Sequence, residues 1–452
     1  MEKLLMGRLL TRHEVSRQLE GNQEEKKMEA IRNRLKRIEG IIEQNGAYLC
    51  QRCGCTHDFA YIPHTERRYC LNCLNLGRVA QGEYLYYLEG HVEWTPPQEI
   101  LTWHGTLSAE QSRASAELLT SLGDERPHLV YAVTGAGKTE MIFAVIARVL
   151  QSGGRVCIAS PRVDVCLELF PRLQAAFAQV EAQLLYGGQS EGYKWTPLVV
   201  ATTHQLWRFA QAFDLVIVDE VDAFPYVNDE SLHFGVRRAL RQKSSKLIFL
   251  TATPDKRLFL DMKTQQVTTT ILPARYHGFA LPELQFVWLG NWRTALSKQQ
   301  RSSRFFKVLA DFLAGEGVKL IFMPDIRLAE ELFALLANWW PQYRLACVHS
   351  DDEKRKEKVE CLRAGELDGL ISTTILERGV TFTNCQVCVI GAEDAIYTES
   401  TLVQISGRVG RKADFPTGRL WYGHYGISRA MKGARKQIQQ MNQQARERGL
   451  IQ

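Results

Sequence analysis

Two parallel-sheet lobes of the α/β class, preceded by a small four-cysteine module, are what this sequence predicts. Three observations carry that expectation. From about residue 101, short apolar runs alternate with helical stretches; a second such series begins near residue 300; and five of the eleven cysteines crowd between Cys50 and Cys73.

A chain of 452 residues is long enough for two or three domains. Its 45% hydrophobic and 23% charged composition excludes a disordered, collagenous or coiled-coil protein. Lys and Arg number 56 against 50 Asp and Glu, and the resulting +6 permits a nucleic-acid partner without requiring one. No run approaches the roughly 18 apolar residues of a membrane span, and Arg8 interrupts the first hydrophobic stretch, so a cytoplasmic location is expected. The cysteines are too sparse for a disulfide scaffold, and their clustering points to metal.

Along the chain, residues 1–46 are charge-rich. There, EEKKMEAIRNRLKRIEGII places Met28, Ile31, Leu35, Ile38, Ile41 and Ile42 at spacings near three and four, which predicts an amphipathic helix. Residues 47–100 form the cysteine module and a linker marked by Pro96-Pro97; 101–290 and 291–428 are the two lobes; 429–452 read as a basic C-terminal helix. Within the module, Cys50-x2-Cys53 and Cys70-x2-Cys73 have the spacing at which two knuckles offer four thiolates to one structural Zn2+, with Cys55, His57 and His64 as alternative ligands. Arginines and tyrosines are interleaved between and after them (Tyr61, Arg67, Arg68, Tyr69, Arg78, Tyr84, Tyr86 and Tyr87), a composition that suits single-stranded nucleic acid and also the core of a small ribbon. Cys385 and Cys388 sit three apart on an apolar strand and read as core.

In the first lobe the strand HLVYAV runs into Thr134, Gly135, Ala136, Gly137, Lys138 and Thr139, then an apolar helix. Such a loop curls its N–H groups around phosphates, with Lys138 reaching the β- and γ-phosphates of ATP and the Thr139 hydroxyl ligating Mg2+. Ala132 replaces the first glycine of the strict pattern. About 80 residues on, Asp219-Glu220-Val221-Asp222 ends the apolar strand DLVIV. There Asp219 can hold Mg2+ and Glu220 can activate water; a solvated acidic turn is the plainer alternative. Thr251 and Thr253 end the next strand and can sense the γ-phosphate. Gln111, just inside a helix capped by Ser108, can read the edge of adenine. In the second lobe, Arg408 and Arg411 are expected three apart on one helix face, placed to neutralise the transferred phosphoryl group.

This ordered set resembles the superfamily 2 helicases and translocases, whose two lobes are RecA-like. The matching segments are Gln111, the Lys138 loop, Ser160-Pro161-Arg162, Thr202-Thr203, Asp219–Asp222, Thr251–Thr253, Ile321–Pro324, Thr373–Gly379 and Gln404–Arg411. It looks closer still to the ComFA family of late-competence ATPases, on AVTGAGKTEM, DEVDAFP, SGRVGRK and a four-cysteine module ahead of the first lobe. PriA-type replication-restart helicases share the lobes but insert their zinc module within the second-lobe region. The resemblance implies an ATP- and Mg2+-dependent translocase that pulls single-stranded DNA inward during natural competence. It also implies strand contacts at Pro161, Arg162, Thr202, Thr203, Thr373 and Thr374. Implied partners are a ComFC-like protein, DNA-processing proteins and a membrane DNA-uptake channel reached by peripheral docking, with self-association left open. Two other readings stand beside it: a PriA-like restart or repair helicase, and a nucleotide-switched DNA-binding scaffold that does not translocate.

Overall fold

The computed structural model describes residues 2–19, 31, 33–90, 92–189, 192–377 and 382–451. These fall into two compact units: residues 1–131 with 138–271, and residues 132–137 with 272–452. The cysteine module therefore groups with the first lobe, and the phosphate loop itself groups with the second unit.

The N-terminal part of the first unit is a set of short antiparallel ribbons. β1 (Leu10–Thr11), β7 (Tyr84–Tyr87) and β2 (Lys36–Glu39) form one sheet; β3 (Ile41–Gln44) pairs with β4 (Ala47–Cys50), and β5 (Phe59–Tyr61) with β6 (Arg68–Cys70). The amphipathic helix expected within residues 1–46 is corrected here. Arg12–Leu19 is a helix and residues 31, 33 and 34 are helical as expected, but Lys36–Glu39 and Ile41–Gln44 are strands, with Ile38 opposite Leu85. Pairing of β2 with the tyrosine-rich β7 and of β3 with β4 overrides the three-to-four spacing, and Gly40 breaks the run, since a Cβ there would come within 2.8 Å of Val79 Cγ1. Met28 lies outside the described residues.

The first-lobe sheet contains β8 (His128–Ala132), β9 (Val156–Ser160), β10 (Ala182–Leu185), β11 (Leu198–Thr202), β12 (Leu215–Asp219), β13 (Lys246–Thr251) and β14 (Thr268–Leu272), in the order β10-β11-β9-β12-β13-β8-β14. Strands β8, β9, β11 and β12 are buried at every residue, because a parallel strand covered on both faces must be apolar throughout. The two edge strands, β10 and β14, bury only some positions and carry no such run, which is why the sequence pattern missed them. The linker is not free either: Trp94 Nε1 donates to Gly153 O at 2.9 Å and Thr102 N to Ala176 O at 2.8 Å.

The second unit carries β15 (Gln285–Trp288), β16 (Val318–Phe322), β17 (Leu345–Val348), β18 (Gly369–Ser372), β19 (Cys385–Ile390) and β20 (Leu420–His424), ordered β15-β20-β19-β16-β18-β17, with each neighbouring pair parallel. Because β15 already pairs with β20, the second lobe begins before residue 291, earlier than the boundary expected from sequence. Cys385 and Cys388 are both buried on β19. The helix Arg429–Glu447 presents Met431, Ala434, Ile438, Met441 and Ala445 as one buried stripe. Its Asn442 bonds Leu281 in both directions, at 2.8 and 3.0 Å, so the helix is part of the unit rather than an appendage.

Candidate functional site

In a parallel sheet the loops that follow the strands gather at one edge, and that is where this chain puts its polar motifs. β8 ends in the phosphate loop. Gly135 and Gly137 adopt φ of +84° and +75°, the left-handed backbone that only glycine enters without strain, and Ala136 N donates to Val133 O at 3.1 Å to close the curl. The helix then starts at Lys138, with Thr139 buried. β12 ends in Asp219, and Lys138 Nζ lies 3.5 Å from Asp219 Oδ1. The Asp219 carboxylate also accepts from Glu220 N at 2.9 Å, while Glu220 takes the unusual φ of +55°. A non-glycine residue in that region at a strand end costs of order 1 kcal/mol and is a recurrent mark of catalytic loops. Lys138 and Asp219 are thus brought together, with Thr139 next to Lys138 at the helix start, and the loop glycines leave room for a nucleotide's phosphates.

Other expectations are modified. Thr251 and Thr253 serve Asp222, whose two oxygens accept their hydroxyls at 2.6 and 2.5 Å, so these threonines brace the carboxylate run within their own lobe. Gln111 is buried, and its side-chain oxygen accepts from Ser108 N at 2.9 Å in a capping box. The helix expected to carry Arg408 and Arg411 ends at Ser406, with Gly407 as its cap and Gly410 at φ +70° in the following turn. The two arginines therefore belong to a turn and not to one helix face: Arg408 Nε donates to Glu377 O at 3.1 Å, and Arg411 Nε to Gly407 O at 2.8 Å. Among the expected strand contacts, Pro161, Thr202 and Thr203 are buried and Arg162, Thr373 and Thr374 are half-buried. The Thr203 hydroxyl has no partner among the described residues. Arg378 and Gly379 lie outside the described residues.

The four cysteines converge. Cys50, Cys53, Cys70 and Cys73 are buried, with Sγ atoms within 4.8 Å of one another; Cys50 and Cys73 are 3.8 Å apart, and Cys53 and Cys70 are 3.5 Å apart. Tetrahedral zinc at about 2.3 Å from each sulfur implies edges near 3.8 Å, whereas a disulfide needs about 2 Å. The arrangement fits a metal and not a cross-link. Cys55 is buried beside this group but accepts from Asp58 N at 3.3 Å. The surrounding arginines and tyrosines are largely engaged with one another: the Arg68 guanidinium lies 4.3 Å from the Tyr48 ring and 4.7 Å from that of Tyr61, and Arg67 Nε donates to Gln81 O.

What sequence reasoning missed is how the module is fixed to the lobe. Cys50, Cys53, Cys70 and Cys73 share one hydrophobic cluster with Leu206, Trp207, Phe209 and Phe213. Two lobe arginines bolt the two parts together, and a module arginine shares a counter-charge with one of them. Arg238 donates to Gln51 O at 2.6 Å and to Trp207 O at 2.5 Å; Arg208 reaches Leu76 O at 2.6 Å and Glu14 Oε1 at 2.8 Å; Arg52 reaches Gly77 O at 3.2 Å and the same Glu14 oxygen at 2.8 Å. Burial would raise the Glu14 carboxyl, but the Arg52 and Arg208 charges outweigh it and hold Glu14 below its ordinary value. Arg208 ends the 3₁₀ helix Thr203–Arg208 that starts at the expected strand contact. No local pattern in the sequence marks these residues; only the tertiary fold brings them together.

A phosphate loop ending one buried strand and a carboxylate run ending another, on the first of two parallel α/β lobes, are the marks of a nucleotide-binding lobe, and the family matches make it a superfamily 2 helicase-like ATPase. The DEAD/DEAH box helicase family matches residues 108–259 and the helicase conserved C-terminal domain residues 305–413. The competence protein ComFA N-terminal domain matches residues 1–87. Competence protein ComFA of Bacillus subtilis (strain 168) is 43% identical over 403 residues, 88% of this chain and 86% of that protein. Its namesake in Streptococcus pneumoniae (strain ATCC BAA-255 / R6) is 42% identical over 97% of this chain and 98% of its own length. The chain belongs to the ComFA family. In fold alone it is also similar to S. cerevisiae Dbp5 bound to RNA and ADP BeF3, with a TM-score of 0.55 at 17% identity over 75% of this chain and 88% of that one.

Proposed function

We propose that this chain is an ATP- and Mg2+-dependent translocase that moves single-stranded DNA inward during natural competence. One observation supports it above the rest. Lys138 and Asp219, poised for nucleotide and magnesium, and Pro161-Arg162 and Thr202-Thr203, the expected strand contacts, follow strands of one parallel sheet and share its edge. Hydrolysis and strand grip would then act on the same rigid body. In this reading Lys138 and the loop hold the phosphates, Thr139 and Asp219 hold magnesium, Glu220 takes the proton of the attacking water, and Arg408 and Arg411 neutralise developing charge. Thr373 and Thr374 would grip the strand from the second lobe. The four cysteines would hold a structural zinc, whose closed coordination leaves no position for an activated water. A ComFC-like protein, DNA-processing proteins and an uptake channel are the proposed partners. Among the described residues no helix is long and apolar enough to cross a membrane, which is compatible with docking at the membrane face.

The test compares Lys138→Ala with Glu220→Gln in the zinc-loaded full chain. Both are expected to lose ATP turnover by about 10³-fold or more, the first with weakened nucleotide binding and the second with a trapped ATP complex on single-stranded DNA. Translocation is then read as ATP-dependent displacement of a roadblock from single-stranded DNA. Normal ATPase without displacement would favour a nucleotide-switched scaffold.

A further inference from the structure

Burial of a charge is tolerated where a partner neutralises it, and the second unit contains an arginine for which the described residues supply none. Arg275 is 2% exposed. Its Nη1 donates to Gly410 O, but Nε and Nη2 are buried without a hydrogen-bond partner. Among the described residues it has no ion pair. His277 Nε2 also meets Gly410 O, at 3.0 Å, and Arg411 stands close enough to repel. Burial, and then the Arg411 charge, pushes Arg275 down to about 9, so it still carries its proton at neutral pH. Two unsatisfied nitrogens on a buried cation are costly, and a buried group left so calls for a water, an ion or a functional partner.

The surroundings identify that ligand by its charge. Arg275 lies in a turn closed by Gly278 N donating to Arg275 O at 3.1 Å, and the next residue, Tyr276, donates its N–H to Gly135 O at 3.2 Å. A Cβ built on Gly135 would lie 3.6 Å from Arg275 Cγ, so the side-chain stem runs along the phosphate loop. We propose that Arg275 is a nucleotide-binding residue that directs Nε and Nη2 to a phosphate oxygen held by the Gly135–Gly137 loop, while Nη1 ties that phosphate to the turn carrying Arg411. The inference rests on the reading of this loop as the ATP site. A guanidinium suits the task because its fork serves a carbonyl and a phosphate at once.

The experiment measures Mg-ATP, Mg-ADP and inorganic tripolyphosphate affinity, together with nucleotide-free melting temperature, for wild type, Arg275→Met, Arg275→Lys and Lys138→Ala. Arg275→Met is expected to bind all three ligands at least about tenfold more weakly, the scale of a lost charge-assisted hydrogen bond. It should do so with little loss of nucleotide-free melting temperature, because an unneutralised buried charge has been removed. Arg275→Lys keeps the charge without the fork and should fall between Met and wild type; it decides the matter if the Met variant does not fold. Affinity within twofold of wild type in a folded Met variant, or in the Lys variant if Met does not fold, overturns the proposal when Lys138→Ala still weakens binding. If Lys138→Ala also leaves affinity unchanged, the ATP-site reading itself falls.

Discussion

The cysteine knuckles and the seven-stranded sheet sit side by side in one unit, yet they are held by different physics. Strands β9, β11 and β12 bury every residue, so the sheet is stabilised by contiguous apolar surface removed from water. The knuckle strands β5 and β6 are three residues long and mostly half-exposed; what is buried there is sulfur. A segment this small cannot form a sufficient core, so its order rests on its four clustered thiolates and on the arginines that pin it to its neighbour. Perturbations should therefore separate the two regions by mechanism even though they touch.

The largest separation is expected from Cys70→Ser. Zinc should be lost and hydrogen exchange across residues 47–87 should rise toward that of an unfolded chain, with DNA affinity falling, while nucleotide affinity largely persists. β8, which leads into the phosphate loop, is four strands from β11, about 19 Å at the usual inter-strand spacing, which is why the ATP site should be spared. Protected amides in the zinc-free variant would show that the knuckles have a core of their own. Next comes Glu14→Gln, which strips the shared counter-charge from Arg52 and Arg208. Breaking a buried ionic cluster of this kind is expected to cost about 3 kcal/mol, read by denaturant unfolding, and to leave the zinc bound.

The smallest effect should belong to the sheet alone. Burial, and then the Lys246 charge, holds His128 at about 4, below its ordinary 6.5, with Thr268 and Thr270 hydroxyls at 2.7 and 3.0 Å. Between those values the unfolded chain takes up a proton that the folded chain refuses. Stability is thus complete above about pH 7 and declines as pH falls toward 4, by about 1–2 kcal/mol at pH 5. His128→Gln should flatten that decline in melting temperature between pH 7.5 and 5, and an unchanged slope would assign it to other groups.

The same contrast explains what could be read from the sequence. The central strands and the residues that end them were legible because a doubly covered strand leaves an apolar run and a nucleotide site leaves a polar motif at its end. The four cysteines were legible because zinc chemistry fixes their spacing. The strands at 36–39 and 41–44 were not, since Ile38, Ile41 and Ile42 satisfy a helical spacing until β7 pairs with Ile38 and β4 with Ile41 and Ile42. Nor was the end of the helix before Arg408: Gly407 still has helical backbone angles, and it is Gly410, at φ +70°, that shows the turn. Arg208, Arg238 and Arg275 carry no local signature at all, because what distinguishes them is the company they keep across more than a hundred residues of chain or across a turn.

The bolting of the module to the lobe also bears on how the molecule can be taken apart. The proline pair at 96–97 invites a cut, and a fragment starting at residue 101 would retain the whole seven-stranded sheet. That fragment would also bring to the solvent the side of Trp207, Phe209 and Phe213 that the knuckles now cover, an apolar surface of the kind that makes truncated proteins precipitate. Soluble expression should instead require residues 1–271 together, and a knuckle grafted onto an unrelated helicase lobe would arrive without the carbonyls and aromatic rings that receive it. Any engineering of this chain therefore has to treat module and lobe as a single part.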